Sequence, residues 1–290
     1  MEPAVERSSA KLNLSLDVLA RRADGYHDLR MVMCSVALHD TVSVRLRNDG
    51  LSFAGSNLPW LPRDSRNLAV KAADAFFQAL GEKNPGVEIS MEKRVPVGAG
   101  MAGGSANAAA VLRALNTLTG AGFDAGKLRE IGLAVGSDVP YCVSGGMALA
   151  EGRGERLTPI ADMPPCHVVI CKPAFSVSTA ELFHRLDGKT IRTHPDTAGL
   201  ISALEAGDLP GVAVRMFNVF EEVLPHNPSH IRFIRSSLLD AGALGAMMTG
   251  TGSAVFGIFD DESAARSAFD CLAKTYRDCF LTQIVNQRFI

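Results

Sequence analysis

Hydrophobic and polar positions alternate from Lys11 to Leu19, with Leu12, Leu14, Leu16 and Val18 on one side and Asn13, Ser15 and Asp17 on the other. That period of two predicts a half-buried strand whose polar face carries Lys11 and Asn13. A turn-forming run, Arg21-Arg22-Ala23-Asp24-Gly25, comes next. Extended segments are then predicted near 31–38 and 40–46, where Thr41, Val42 and Val44 favour strand. At 67–80 the period changes: Ala69, Ala72, Ala73, Phe76, Phe77 and Leu80 fall at helical spacing and Gly81 is the stop. A strand over 86–93 leads through a glycine-dense loop, 95–105, into an Ala-rich helix from about Ala106 to Leu118. The helix predicted over 124–135 takes Asp124 as its cap and ends near Gly136.

The stretch Glu151 to Pro165, rich in Gly, Pro and charge, marks the expected boundary between a first domain, 1–160, and a second, 161–290. Beyond it the pattern predicts a strand over 167–172 and helices over 179–186, 198–206, 211–223 and 230–242. A strand near 253–259, a helix over 262–276 and a strand near 280–285 complete the chain. This order suits helices packed on one face of an antiparallel sheet, so the expected class is α+β in two lobes.

Composition narrows the function classes. With 47% hydrophobic and 21% charged residues, the 290-residue chain has material for a sizeable core and too little charge for disorder. A formal net charge of -2 removes the basic footprint of a dedicated nucleic-acid binder, so any anion must be bound locally. No apolar run reaches the roughly eighteen residues of a membrane span, and Met1 to Ala10 lacks the apolar core of a signal peptide. A cytoplasmic protein with no membrane partner is expected. The six cysteines form no CxxC pair and read as reduced core residues. A zinc site from Cys166, His167 and Cys171 competes with the apolar run through Ile170, which favours a buried strand.

Four segments can carry chemistry. In Val95 to Ser105, glycines let backbone N–H groups approach an anion while the following helix presents unpaired donors and a positive dipole end. Gly98-x-Gly100-x-x-Gly103 has the letters of the dinucleotide fingerprint, but the acidic residue about twenty positions on, Asp124, caps a helix instead of ending a strand. The phosphate loop of P-loop enzymes needs a lysine after its glycines, and Gly104-Ser105 offers none. A glycine turn that merely lets a helix pack closely stays open. Lys11 with Asn13 is the second segment, with a solvated lysine as the plain alternative; Asp138 in Gly136-Ser137-Asp138-Val139-Pro140 could match it as a base or cap a helix. The third, Asp24-Gly25-Tyr26-His27, sets an aromatic and an imidazole beside a turn, suited to stacking on a flat ring or to closing the core. The fourth is the small-residue run Met248-Thr249-Gly250-Thr251-Gly252-Ser253, a close-approach loop or an ordinary connection.

Together, in this order, a Lys-bearing strand, the loop from Pro96 to Ser105 and the Gly250-Thr251-Gly252 loop resemble the GHMP kinase superfamily. The likeness is carried by Ala10-Lys11-Leu12-Asn13-Leu14, Arg22-Ala23-Asp24-Gly25-Tyr26-His27, His39-Asp40-Thr41-Val42, Ser137-Asp138-Val139-Pro140 and Thr249-Gly250-Thr251-Gly252, and it spans nearly the whole chain. It implies a two-lobed fold, with an N-terminal lobe like the second domain of ribosomal protein S5 and a ferredoxin-like C-terminal lobe. It also implies ATP with Mg2+, and as acceptor a cytidine diphosphate ester of methylerythritol from isoprenoid precursor synthesis. On this resemblance Pro96, Val97, Gly98, Ala99, Gly100, Met101, Ala102, Gly103, Gly104, Ser105 and Ala106 wrap the ATP phosphates, and Asn67 and Leu68 border the adenine. Lys11 and Asp138 take the catalytic places. Tyr26, His27 and Phe183 hold the cytosine ring, and Asn13 and Thr179 face the methylerythritol end. The metal ligands are left unassigned. Met101, Ala102 and Ala106 depart from the superfamily loop: Ala102 implies a non-glycine backbone angle, and Ala106 removes a hydroxyl from the anion site. Two rivals share part of the pattern, another kinase of this superfamily acting on homoserine or mevalonate, and a catalytically silent ATP-binding regulator.

Overall fold

The computed structural model describes residues 2–224 and 228–290. Two long antiparallel strands open it, β1 (Ala4–Arg21) and β2 (His27–Leu46), joined by a turn in which Asp24 accepts the Tyr26 N–H. The segments expected at 31–38 and 40–46 are therefore one strand. β1 is buried on both faces from Ala10 to Val18 instead of one, because a separate apolar cluster packs on each side of the sheet. Its alternation is also broken. Bulges between Ser9 and Lys11 and between Asn13 and Ser15 shift the register: Lys11 lies opposite Ser35 and Asn13 opposite Met33, but Leu16 lies opposite Met31. A bulge inserts one residue and exchanges the faces beyond it. Leu16 thus shares the face of Lys11 and Asn13 and leaves that of Leu12 and Leu14.

The first lobe continues with β3 (Phe53–Ser56), α1 (Leu68–Leu80), β4 (Val87–Glu92), α2 (Gly103–Thr119), α3 (Ala125–Val135) and α4 (Val139–Ser144). A hairpin, β5 (Ala148–Gly152) and β6 (Arg156–Pro159), occupies part of the stretch read as a boundary, with β5 paired to β2. Ala106, Ala108, Ala109, Ala110 and Ala114 of α2 are all buried, small enough for α1 and β1 to pack closely on the helix.

The second lobe holds β7 (His167–Lys172), α5 (Thr179–Asp187), α6 (Thr197–Glu205), α7 (Leu209–Ala213), β8 (Phe217–Asn218) and a 3-10 turn (Val219–Val223). Then follow α8 (Ser229–Asp240), β9 (Gly245–Met248), β10 (Val255–Phe259), α9 (Glu262–Ala273) and β11 (Asp278–Val285). The strands run antiparallel in the order β11-β7-β10-β9, and with α8 and α9 they make the split βαβ arrangement of a ferredoxin-like lobe. Through Ile284 and Val285, β11 also pairs with β2, so the sheets of the two lobes are continuous.

The helix expected over 211–223 does not form. Asp208 caps a single turn with Pro210 in its first positions, and then Phe217 and Asn218 pair in parallel with Ser15 and Leu16 of β1, which draws the backbone into an extended conformation. The segment from Cys166 to Cys171 is β7 and its approach, with Cys171 opposite Cys279 on β11. No helix among the described residues is long and apolar enough to cross a membrane.

Candidate active site

The glycine loop is anchored at its entrance. Asp40, fully buried on β2, accepts the backbone N–H groups of Arg94 (2.7 Å) and Val95 (2.8 Å), the amide of Asn107 (2.9 Å) and the ammonium of Lys93. Asn107 in turn accepts from Lys93 at 2.8 Å and donates to Ser8 Oγ at 2.8 Å. A buried ion pair is tolerable only when its remaining hydrogen-bonding capacity is filled, as here, and the network fixes the end of β4 to α2. The His39-Asp40 stretch, noted in the sequence for resemblance alone, thus has a physical task.

At the loop's exit Ala102 has φ +55° and ψ +27°, and it is the non-glycine residue at positive φ among those described. The ordinary angle expected for an alanine is corrected: Ala102 adopts the left-handed conformation of a glycine, at a cost of about 1–2 kcal/mol, because the chain must turn sharply into α2. The helix therefore begins at Gly103, earlier than the Ala106 start predicted. The first intrahelical bond runs from Ala106 N–H to Ala102 O at 2.8 Å, which leaves the amides of Gly103, Gly104 and Ser105 at the open end of the helix. Ala106 itself lies in the core, 2% exposed and off the cavity wall. A hydroxyl at this position would face protein and not the cavity, against the expectation that its absence thins the loop's donors.

A second loop, between β9 and β10, lies backbone to backbone on the first. Ala254 N–H donates to Ala99 O at 3.2 Å, and Asn13 N–H donates to Thr249 Oγ1 at 3.0 Å. A Cβ on Gly100, at φ +75°, would run into the Thr249 carbonyl and stand 2.8 Å from Gly252 N; one on Gly250 would stand 2.6 Å from Gly100 O. These glycines are required by contact as well as by φ. Buried Asn218 holds the second loop by donating to Met248 O and Gly250 O, each at 2.8 Å, and Glu221 accepts Met248 N–H at 2.7 Å. Burial raises the Glu221 pKa, against the bond from Met248 and the charge of Arg235. Neither Asn218 nor Glu221 was picked out of the sequence, because both fall in the stretch read as a helix.

Between the loops lies a cavity of about 1160 Å³. Lys11, buried between the first two of three register shifts along β1, donates to Asn13 Oδ1 (2.6 Å) and Gly100 O (2.8 Å), while its own backbone N–H reaches Met101 O (3.2 Å). Burial lowers the Lys11 pKa from its ordinary value, and the charge of Asp138 acts against that shift. Asp138 occupies the cap position of α4 without making a side-chain cap bond, which leaves its carboxylate for the cavity. Pro96 to Ser105, Asn67, Leu68, Asn13, Tyr26, His27, Thr179 and Phe183 line the same space. The Asn67 amide is already committed to structure: it accepts Ala69 N–H and donates to Pro62 O. Thr179 shares a hydrogen bond with Thr251 at 2.9 Å. The aromatic residues are not opposed across a gap. His27 stacks on Phe183 with centroids 4.6 Å apart, whereas Tyr26 is 52% exposed with the Arg153 guanidinium 4.7 Å above its ring.

A strand-borne lysine, a glycine loop feeding a helix N-terminus and a second glycine loop, set between an α+β lobe and a ferredoxin-like lobe, define a small-molecule kinase of the GHMP class. Residues 67–146 match the family model for the GHMP kinases N terminal domain and residues 200–278 that for the GHMP kinases C terminal domain. A 4-diphosphocytidyl-2-C-methyl-D-erythritol kinase from Clostridium perfringens is 43% identical over 282 residues, 97% of this chain and 98% of the relative. The crystal structure of a 4-(cytidine 5'-diphospho)-2C-methyl-D-erythritol kinase superposes with a TM-score of 0.80 at 32% identity, covering 97% of this chain and 99% of the other. A homoserine kinase from Cytophaga hutchinsonii, at 20% identity and a TM-score of 0.71 over 97% and 96% of the two chains, shares the fold alone. The chain belongs to the 4-diphosphocytidyl-2-C-methyl-D-erythritol kinase family.

Proposed function

We infer that the chain transfers the γ-phosphoryl group of ATP to the 2-hydroxyl of 4-diphosphocytidyl-2-C-methyl-D-erythritol, a step of non-mevalonate isoprenoid precursor synthesis. The observation that carries this reading is the convergence of the helix-end amides of 103–105, Lys11 and Asp138 on one cavity. Phosphoryl transfer asks a protein chiefly to align attacker and phosphate and to stabilise charge on the equatorial oxygens. The amides of the glycine loop and of the first turn of α2 are suited to that charge. Asp138 accepts or orients the hydroxyl proton of the acceptor, and the Lys11 ammonium offsets the developing oxyanion. Asn67 and Leu68 border the adenine; Tyr26, His27 and Phe183 face the cytosine; Asn13 and Thr179 face the methylerythritol. On this reading residues 1–160 form the nucleotide lobe and 161–290 complete the acceptor side.

Magnesium fits the donors at hand. It takes few protein ligands, preferring oxygen, water and substrate phosphates, and Ser105 and Asp138 supply a hydroxyl and a carboxylate to the cavity beside the loop. Bound there, it would neutralise phosphate charge. A coupled ATPase assay offering 4-diphosphocytidyl-2-C-methyl-D-erythritol, homoserine and mevalonate in turn tests the proposal. ADP release that depends on the cytidine compound is expected; turnover with homoserine or mevalonate instead, or none with any acceptor, would overturn it.

A further inference from the structure

Helix α5 carries Thr179, Phe183 and Asp187 at intervals of four, so these three share one face, and all three line the cavity. The first two already have places in the acceptor site. Asp187 does not. Its carboxylate accepts from His27 Nε2 at 2.7 Å, and its other oxygen lies 3.6 Å from the Arg21 guanidinium. The bond from His27 holds the Asp187 carboxyl below its usual pKa, with Arg21 acting in the same direction. His27, 8% exposed, is therefore fixed at one nitrogen by Asp187 and at one face by Phe183. Its Nδ1 has no hydrogen-bonding partner among the described residues, and the residue lies on the cavity wall.

A carboxylate can only accept, so Nε2 must carry the hydrogen, and in the neutral ring Nδ1 is then a lone-pair acceptor. Cytosine and uracil differ at the edge such an acceptor reads: cytosine presents an exocyclic amine, a donor, where uracil presents a carbonyl oxygen. We propose that Asp187 is a positioning residue which holds His27 in its Nε2–H form and thereby makes the acceptor site select cytosine over uracil. The inference rests on the reading above in placing the base at His27, but it concerns binding and does not need phosphoryl transfer. An Asp187→Asn variant makes the logic sharp. Arg21, a donor beside the second oxygen, takes the amide oxygen of Asn and turns its nitrogen to Nε2, which favours the Nδ1–H form, a donor suited to a carbonyl; Asp187→Ala merely releases the ring.

The test is calorimetric binding of cytidine 5'-diphosphate and uridine 5'-diphosphate to the full chain as wild type, D187N and D187A, with the imidazole nitrogens of His27 followed by 15N NMR. Wild type is expected to bind the cytidine compound at least about tenfold more tightly than the uridine one. That ratio should fall by about tenfold or more in D187N, below its value in D187A. Thermal midpoints close to wild type would show that folding is not the cause. An unchanged ratio in D187N, no discrimination in wild type, or a wild-type His27 that carries a hydrogen on Nδ1, whether as the other neutral form or as the imidazolium, would overturn the proposal. Should D187N fail to fold, the wild-type tautomer decides. Kinase activity reports separately: turnover of the cytidine acceptor with a ratio indifferent to Asp187 sinks only this inference, whereas a shifted ratio without turnover sinks only the assigned reaction.

Discussion

Replacing Gly100 by alanine attacks the contact on which the site depends. At φ +75° an L-residue is strained by about 1–2 kcal/mol. The new Cβ also meets the Thr249 carbonyl and Gly252 N, backbone atoms that cannot rotate away, and such overpacking costs about 1–3 kcal/mol more. Lower entropy of the unfolded chain returns about 0.4–1 kcal/mol. The net loss is about 1–5 kcal/mol, or a fall in Tm of about 2–20 °C at about 2–4 °C per kcal/mol for a chain of this order of size. Gly81 is the internal control: it caps α1 at the same φ of +75° with nothing within 4 Å of its Cβ, so Gly81→Ala carries the backbone term alone. Thermal unfolding and the KM for ATP should be measured for both variants. G100A is expected to lose clearly more stability than G81A, and to raise the KM for ATP by about tenfold or more as the loops part and Gly100 O releases Lys11. Equal stability of the two variants, or a wild-type KM for ATP in G100A, would refute the reasoning.

Three further outcomes are expected. Asp138→Ala should lower kcat by at least about 10²-fold with the KM for ATP nearly unchanged, since general-base help is typically worth about 10²–10⁴; a kcat within about threefold of wild type would exclude the role. Tyr26→Ala and Phe183→Ala should raise the KM for the cytidine acceptor and leave that for ATP in place, and equal effects on both would contradict the base-holding assignment. The third concerns pH. Burial lowers the Lys11 pKa, so between that lowered value and the ordinary 10.5 the unfolded chain holds a proton that the folded chain has lost. Stability from this group therefore rises with pH, and at neutral pH the buried ammonium is a net burden. In urea unfolding, wild type should gain on Lys11→Met as pH climbs from 7 towards 10; a constant or shrinking gap would count against it.

Much of the fold could be read from periodicity. α1 with its Gly81 stop, α3 with its Asp124 cap, and the strand and helices around β10 and α9 lie close to where spacing and end signals put them, and Asn67 proves to cap α1. What escaped were features set by partners distant in sequence. The bulges of β1 depend on how β2 pairs with it, so Leu16 could not be assigned to the cavity face from alternation. Residues 217–218 are extended because β1 is beside them, not through local propensity. Of the site, the glycine loop, Lys11, Asp138 and the second glycine loop were legible as motifs. The role of Asp40 was not, nor were Asn218 and Glu221, since hydrogen bonds to loops far along the chain leave no local pattern. Asp187 did leave one, the fourfold spacing from Thr179 through Phe183, which becomes informative only once His27 is seen opposite it.

The central claim is that backbone amides between residues 96 and 105 hold the terminal phosphates of ATP opposite Lys11 and Asp138. A crystal structure with a non-hydrolysable ATP analogue and the cytidine acceptor tests it most directly. The β- and γ-phosphate oxygens should lie within about 3 Å of amides from Gly98 to Ser105, with the acceptor hydroxyl between Asp138 and the γ-phosphate. A nucleotide seated elsewhere with those amides free, or an acceptor hydroxyl turned away from Asp138, would contradict the account.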